Sequence, residues 1–172
     1  SHAAYVRFQE GEEDLARRVL SSVLCHEKGD LLTWAIMGLL FRVPSEFSYD
    51  SALFSLGLSY LLLSASQSEK VFLLRWDFAS ESYRGDREEL ERILKKVLEV
   101  DVVLDSIGEK GVRGHFYVRD FLLRRREFIL EASSIERKDV NRQYIIGAIL
   151  PAGDPRWPLV REVTLKPRLL PV

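Results

Sequence analysis

The residues best suited to chemistry lie in one run, Lys110 to Arg126, which reads Lys-Gly-Val-Arg-Gly-His-Phe-Tyr-Val-Arg-Asp-Phe-Leu-Leu-Arg-Arg-Arg. Lys110, Arg113, Arg119, Arg124, Arg125 and Arg126 set six basic groups against one acid, Asp120, with His115, Phe116, Tyr117 and Phe121 interleaved. Guanidinium forks match phosphate oxygens and aromatic rings stack on unpaired bases, so the mixture suits nucleic acid, RNA above all. In an extended chain, alternation puts His115, Tyr117 and Arg119 on one face and Phe116, Val118 and Asp120 on the other, so one set alone can line a surface. The expected contacts are Lys110, Arg113, His115, Tyr117, Arg119, Arg124, Arg125 and Arg126. The structural alternative makes Phe116, Val118 and Phe121 core residues, with Arg113 and the arginine triplet forming a solvated face paired with Glu127, Glu131 and Glu136.

Arg113-Gly114-His115-Phe116-Tyr117-Val118 is loosely similar to the octapeptide with which RNA-recognition motifs present stacking rings. It departs from that pattern at His115, Phe116 and Asp120, and no family is assigned from it. Carboxylates offer a second chemistry: Asp77, Asp101 and Asp105, with Glu127 or Glu131, would suit a magnesium-dependent phosphoesterase or nuclease if they converged. Their spacing does not require convergence, and Glu136-Arg137-Lys138 matches a nuclease Glu-x-Lys only at chance level. A zinc site would have to mix His26 and His115 with carboxylates, so no metal site and no cofactor are expected.

Nucleophilic catalysis is weakly supported. Gly57-Leu58-Ser59-Tyr60 lacks the closing glycine of a nucleophile elbow. Cys25 and His26 are adjacent on an expected helix and point about 100° apart, poor geometry for a nucleophile and its base. Gly108, Gly111 and Gly114 join two expected strands rather than opening a helix, which favours hairpin geometry over a phosphate cradle.

These residues sit in a chain of 172, about one domain's worth, with 47% hydrophobic and 30% charged residues, enough to bury a core and too balanced for disorder. The formal net charge of −1 supplies no global attraction to a polyanion. It is a sum of unlike halves: residues 1–86 carry 8 basic and 12 acidic groups, or −4, while 87–172 carry 17 and 14, or +3. A polyanion partner is thereby confined to the C-terminal half. The single cysteine, Cys25, excludes an internal disulfide and fits a reducing, cytoplasmic setting. One asparagine, three glutamines, one methionine and abundant Glu and Arg point toward a heat-adapted source.

Periodicity predicts a short strand at 4–10 and an amphipathic helix through Leu15, Val19, Leu20, Val23 and Leu24. Two apolar runs follow, 31–41 before Pro44 and 51–66 after Asp50, and both are read as buried helices. Each is about a dozen residues, short of the ~18–20 needed to span a bilayer, so no membrane span is expected. A strand is predicted at 71–78, then a helix from Asp86 with Leu90, Ile93, Leu94, Val97 and Leu98 inward, then a hairpin from Asp101–Ile107 through a turn at 108–111 to 112–121. Residues 122–135 suit a helix, although Phe128-Ile129-Leu130 would equally extend a strand. Strands at 143–150 and 159–166 complete the chain, with Pro167 and Pro171 expected to prevent further pairing.

Strand, helix, strand, strand, helix, strand over 71–150 is the split βαβ order, so the expected class is α+β: an N-terminal strand and three-helix segment, 1–68, packed on a ferredoxin-like sandwich, 70–172, with an extra C-terminal strand, folding as one cooperative unit. The leading functional expectation is a non-catalytic nucleic-acid binding or processing subunit using 110–126. The alternatives are an assembly or scaffold subunit, homo- or hetero-oligomeric through the apolar segments 31–63, and the metal-dependent phosphoesterase.

Overall fold

The computed structural model describes residues 31–108, 111–119 and 125–171, Arg119 by its backbone alone. The expected strand at 4–10, the first amphipathic helix, Cys25, His26, Lys110, Asp120, Phe121 and Arg124 lie outside the described residues. Within them the chain forms two antiparallel sheets. The small sheet has the order β1-β2-β10, from β1 (Leu31–Ile36), β2 (Leu39–Pro44) and β10 (Arg168–Leu169). The large sheet is built from β3 (Ser48–Leu53), β4 (Leu58–Ser64), β5 (Lys70–Asp77), β6 (Val103–Gly108), β7 (Gly111–Arg119), β8 (Arg125–Arg137) and β9 (Arg142–Pro151). Its order is β3-β4-β5-β9-β8-β7-β6. The helices are α1 (Ala79–Ser82), α2 (Arg87–Leu98) and α3 (Trp157–Val163).

This is not the ferredoxin-like sandwich. The crossover after β5 carries the chain over the sheet to the far edge, where β6, β7, β8 and β9 return as a meander to pair with β5. The second helix that the split βαβ order requires, 122–135, is instead β8 from Arg125 onward, the longest strand among the described residues at 13 residues. Phe128 and Ala132 fit a helical stripe and a strand face alike; full pairing of β8 with both β7 and β9 satisfies its backbone as a strand.

The expected helix over 31–41 is a hairpin. Met37 (φ 55°) and Gly38 (φ 86°) form a two-residue turn with both residues in the left-handed region, and Ile36 pairs with Leu39. On β2 the alternation is plain, with Leu39, Phe41 and Val43 buried and Arg42 exposed. The expected helix over 51–66 is the β3–β4 hairpin. β4 looked helical because it is apolar on both faces: Leu61 and Leu63 pack toward the small sheet, Leu62 toward α2. The strand expected at 159–166 is largely α3, with Pro158 tolerated in its first turn and Trp157, Val160 and Val163 buried. Pro167 and Pro171 do not prevent pairing, because β10 fits between them and joins β2 through Arg168 and Leu169.

Other expectations hold in outline, namely the strands at 71–78 and 143–150, the hairpin around 108–111 and the helix after Asp86. The Asp86 carboxylate accepts from the Glu89 backbone N–H at 2.7 Å, capping α2. All five expected apolar residues of that helix are buried. They pack on one face of the large sheet, against Phe72, Leu74, Leu104, Leu130 and Ile145 among others. The opposite face is covered over β4, β5 and β9 by the small sheet and α3, through Leu39, Phe41, Val43, Trp157 and Val160. Toward β7 and the start of β8 that second face is open and leaves Arg113, Tyr117, Arg125 and Glu127 exposed, while farther along β8 Glu131 and Ser133 meet Arg161 and Leu165. No helix of the described residues is long and apolar enough to cross a membrane.

Candidate nucleic-acid interface

Strand alternation decides which residues of the basic run reach the open face. Phe116 is in the core, 4% exposed, and Val118 packs partly buried against the same cluster. Arg113, His115 and Tyr117 therefore turn to the opposite side, where Arg113 and Tyr117 are exposed and His115 half-buried. The adjacent arginines of β8 part company: Arg119 pairs with Arg125, whereas Arg126 pairs with Val118, so Arg125 and Arg126 lie on different faces. Arg125 and Arg126 therefore do not share one basic patch.

On the open face the side chains form a continuous strip. The Arg125 guanidinium carbon lies 3.5 Å above the centre of the Tyr117 ring, and Tyr117 meets His115 edge to face at 5.5 Å. The Tyr117 hydroxyl donates to Glu127 Oε1 at 3.2 Å, and His115 Nδ1 lies 2.9 Å from Asp105 Oδ1. The Asp105 carboxylate reaches His115 from a bulge in the β6–β7 register between Leu104 and Ser106.

A carboxylate organises the next part of the face. Glu131 on β8 is buried, and Arg161 of α3 grips it bidentately, Nε to Oε2 and Nη2 to Oε1, both at 2.7 Å. Arg113 Nη2 adds a third bond to Oε1 at 2.8 Å. The Arg161 fork, with help from Arg113, outweighs burial and holds the Glu131 carboxyl below its ordinary pKa. Shallow depressions of about 360 and 320 Å³ share Arg113, Glu131 and Arg161 as lining.

The carboxylates weighed for magnesium are not gathered. Asp77 bridges Arg75 Nη2 and Arg142 Nε, each at 2.8 Å, at the end of β5. Asp101 pairs with Lys95, and Asp105 with His115 on the edge strand four places from β5. Among the described residues no group of three or more His, Cys, Asp or Glu side chains could hold a metal ion. Ser59 is fully buried, and its hydroxyl closes the β3–β4 turn by donating to Ser55 O and accepting from Ser55 N, both at 3.1 Å.

No family model matches the chain, and no curated protein matches it. Among solved structures, the chain is similar to the Ran-binding protein Mog1p of Saccharomyces cerevisiae, with a TM-score of 0.38 and 10% identity over 80% of this chain and 85% of that one. A point mutant of protein Mog1 gives the same TM-score and identity over 79% and 85%. Likeness at this level carries no argument about what the chain does.

Arg161 escaped the sequence reading altogether. It lies 30 residues from Glu131, in a segment whose valines and leucines alternate like a strand, and nothing local marks it as part of the face.

Proposed function

We propose that the chain is a non-catalytic binding module for single-stranded nucleic acid, RNA in the first instance, using the open face of β7 and the start of β8. The observation that carries the reading is the exposed Arg125–Tyr117–His115 strip: a guanidinium plane on a ring, beside a second ring, is a surface on which unpaired bases stack. Asp105 and Glu127, bonded to His115 and Tyr117, offset charge along the strip itself, so the strip is suited to stacking. Labelled oligouridine, titrated by fluorescence anisotropy at about 50 mM salt, tests it. Binding should weaken roughly tenfold in Tyr117→Ala, the scale of one lost base stack. A flat isotherm for the unmodified chain overturns the reading, as does unchanged affinity in that variant.

A second reading is assembly with another copy of the chain, narrowed by where apolar surface remains. Most of the apolar side chains of 31–63 are consumed by the internal core, but Leu53, Phe54 and Leu56 stay exposed, Leu56 by 90%. Asp77 N donates to Gly57 O at 2.7 Å, which brings exposed Phe78 to the same end of the sheet. Exposed apolar groups gathered at one end support a contact surface. Sedimentation equilibrium should show an oligomer that dissociates in Phe54→Ser/Leu56→Asp; a monomer at all concentrations removes this reading.

A further inference from the structure

We propose that Arg161 and Arg113, held by Glu131, form a phosphate-binding subsite that continues the aromatic strip and takes the sugar-phosphate backbone of a single-stranded nucleic acid. This rests on the nucleic-acid reading above and adds to it a residue from outside the basic run. Arg161 gives Nε and Nη2 to Glu131, and Arg113 gives Nη2, so each guanidinium keeps further N–H donors that no described residue takes.

The carboxylate acts here as a positioning group. A guanidinium on a long side chain loses rotamer freedom when it binds, and a bidentate grip on a buried carboxylate removes that freedom beforehand. The Trp157 ring centre lies 5.3 Å from the Arg161 guanidinium, within cation–π reach, and adds to its hold. Two cations against one carboxylate leave the trio net positive. The larger depression beside it, about 360 Å³, is lined by Ser106 and Ser133, and among the described residues Glu131 is its one carboxylate.

The placement suits one strand of polymer. Arg113, His115 and Tyr117 succeed one another on the same side of β7, about 6.6–6.8 Å apart along the strand. A chain lying along β7 would stack bases on His115, Tyr117 and Arg125 while its backbone passes Arg113 and Arg161.

The test is the salt dependence of oligouridine binding between about 50 and 200 mM, in the full chain and in variants. Arg161→Ala and, separately, Arg113→Ala should each lower affinity about tenfold and reduce the log–log salt slope by about 0.7, the value of one phosphate contact on a single strand. Arg161→Lys should keep the slope and lose affinity, because the charge stays while the fork on Glu131 is lost. Tyr117→Ala should lose affinity at unchanged slope. Arg113 is the more exposed of the two, so its variant reads the subsite even if Arg161→Ala disturbs the seating of α3. Binding with the slope unchanged in both alanine variants overturns the subsite and leaves the stacking reading standing; absence of binding by the unmodified chain overturns both.

Discussion

Phe116 and Phe128 stand directly opposite each other on β7 and β8, their rings stacked with centres 5.2 Å apart and planes 14° from parallel. The pair lies under α2, in the core that also holds Leu94 and Val97. It locks the register of β7 against β8, and a one-residue slip would exchange Phe116 for Tyr117 in the core.

Phe128→Ala should destabilise the fold by about 3–5 kcal/mol, the usual cost of emptying a large aromatic from a core. A double-mutant cycle with Phe116→Leu should return a coupling of about 0.5–1.5 kcal/mol for the stack. Urea unfolding followed by circular dichroism measures both, and near-zero coupling would mean the rings contribute only by filling volume.

Arg156 ties three loops together. It reaches Asp154 on its own loop, Glu69 beside β5 at 2.8 Å and Glu46 after β2 at 3.2 Å. Chiefly through Asp154, these carboxylates raise its pKa well above the ordinary guanidinium value. Arg156→Ala should cost about 2 kcal/mol, mostly by taking the guanidinium from the nearly buried Asp154 carboxylate, which would keep only the backbone N–H of residue 156. Arg156→Lys should recover only part of this, since an ammonium cannot fork between carboxylates. Thermal unfolding of the two variants side by side makes the comparison.

Acid should weaken the fold through Glu131 and Asp154. Both carboxyls are held below their ordinary values of 4.5 and 3.8, Glu131 first by Arg161 and Asp154 first by Arg156. A folded-state pKa below the unfolded one gives stability that is complete above the unfolded value and is lost as pH falls through the folded one. Stability should therefore hold steady at neutral pH and decline from about pH 4.5 downward. Glu131→Gln and Asp154→Asn should each be less stable at pH 7 and lose less on acidification; parallel pH profiles for variant and unmodified chain would contradict the assignment.

Gly147 sits at the centre of β9, where an added methyl would run into the Phe72 ring and come within 2.7 Å of the Ala132 methyl. Gly147→Ala should destabilise by about 1–3 kcal/mol through overpacking. Gly147→Ala combined with Phe72→Leu should be less destabilising than the two changes summed, a non-additivity visible in chemical denaturation midpoints.

What was legible in the residues themselves was whatever depends on local order. The α2 helix announced itself by the Asp86 cap and a five-residue apolar stripe, and β5 and β9 by their Phe, Ile and Val content, because those signals need no distant partner. The alternation that sends Phe116 inward and His115 and Tyr117 outward was equally readable, since period two belongs to any strand.

The tertiary structure decided the rest, for two physical reasons. First, runs such as 31–41, 51–66 and 122–135 carry apolar residues at spacings that satisfy both a helix and a two-sided strand; which one forms depends on whether another strand lies alongside to take the backbone hydrogen bonds. β4 is flanked by β3 and β5, and β8 by β7 and β9. Second, the chemistry of the open face depends on contacts across long sequence separations. Arg161 reaches Glu131 from α3, and Arg126 is turned from Arg125 by the pleat, so the described part of the basic run presents a short aromatic strip with the Arg125 guanidinium stacked upon it and the Arg113–Glu131–Arg161 group beside it.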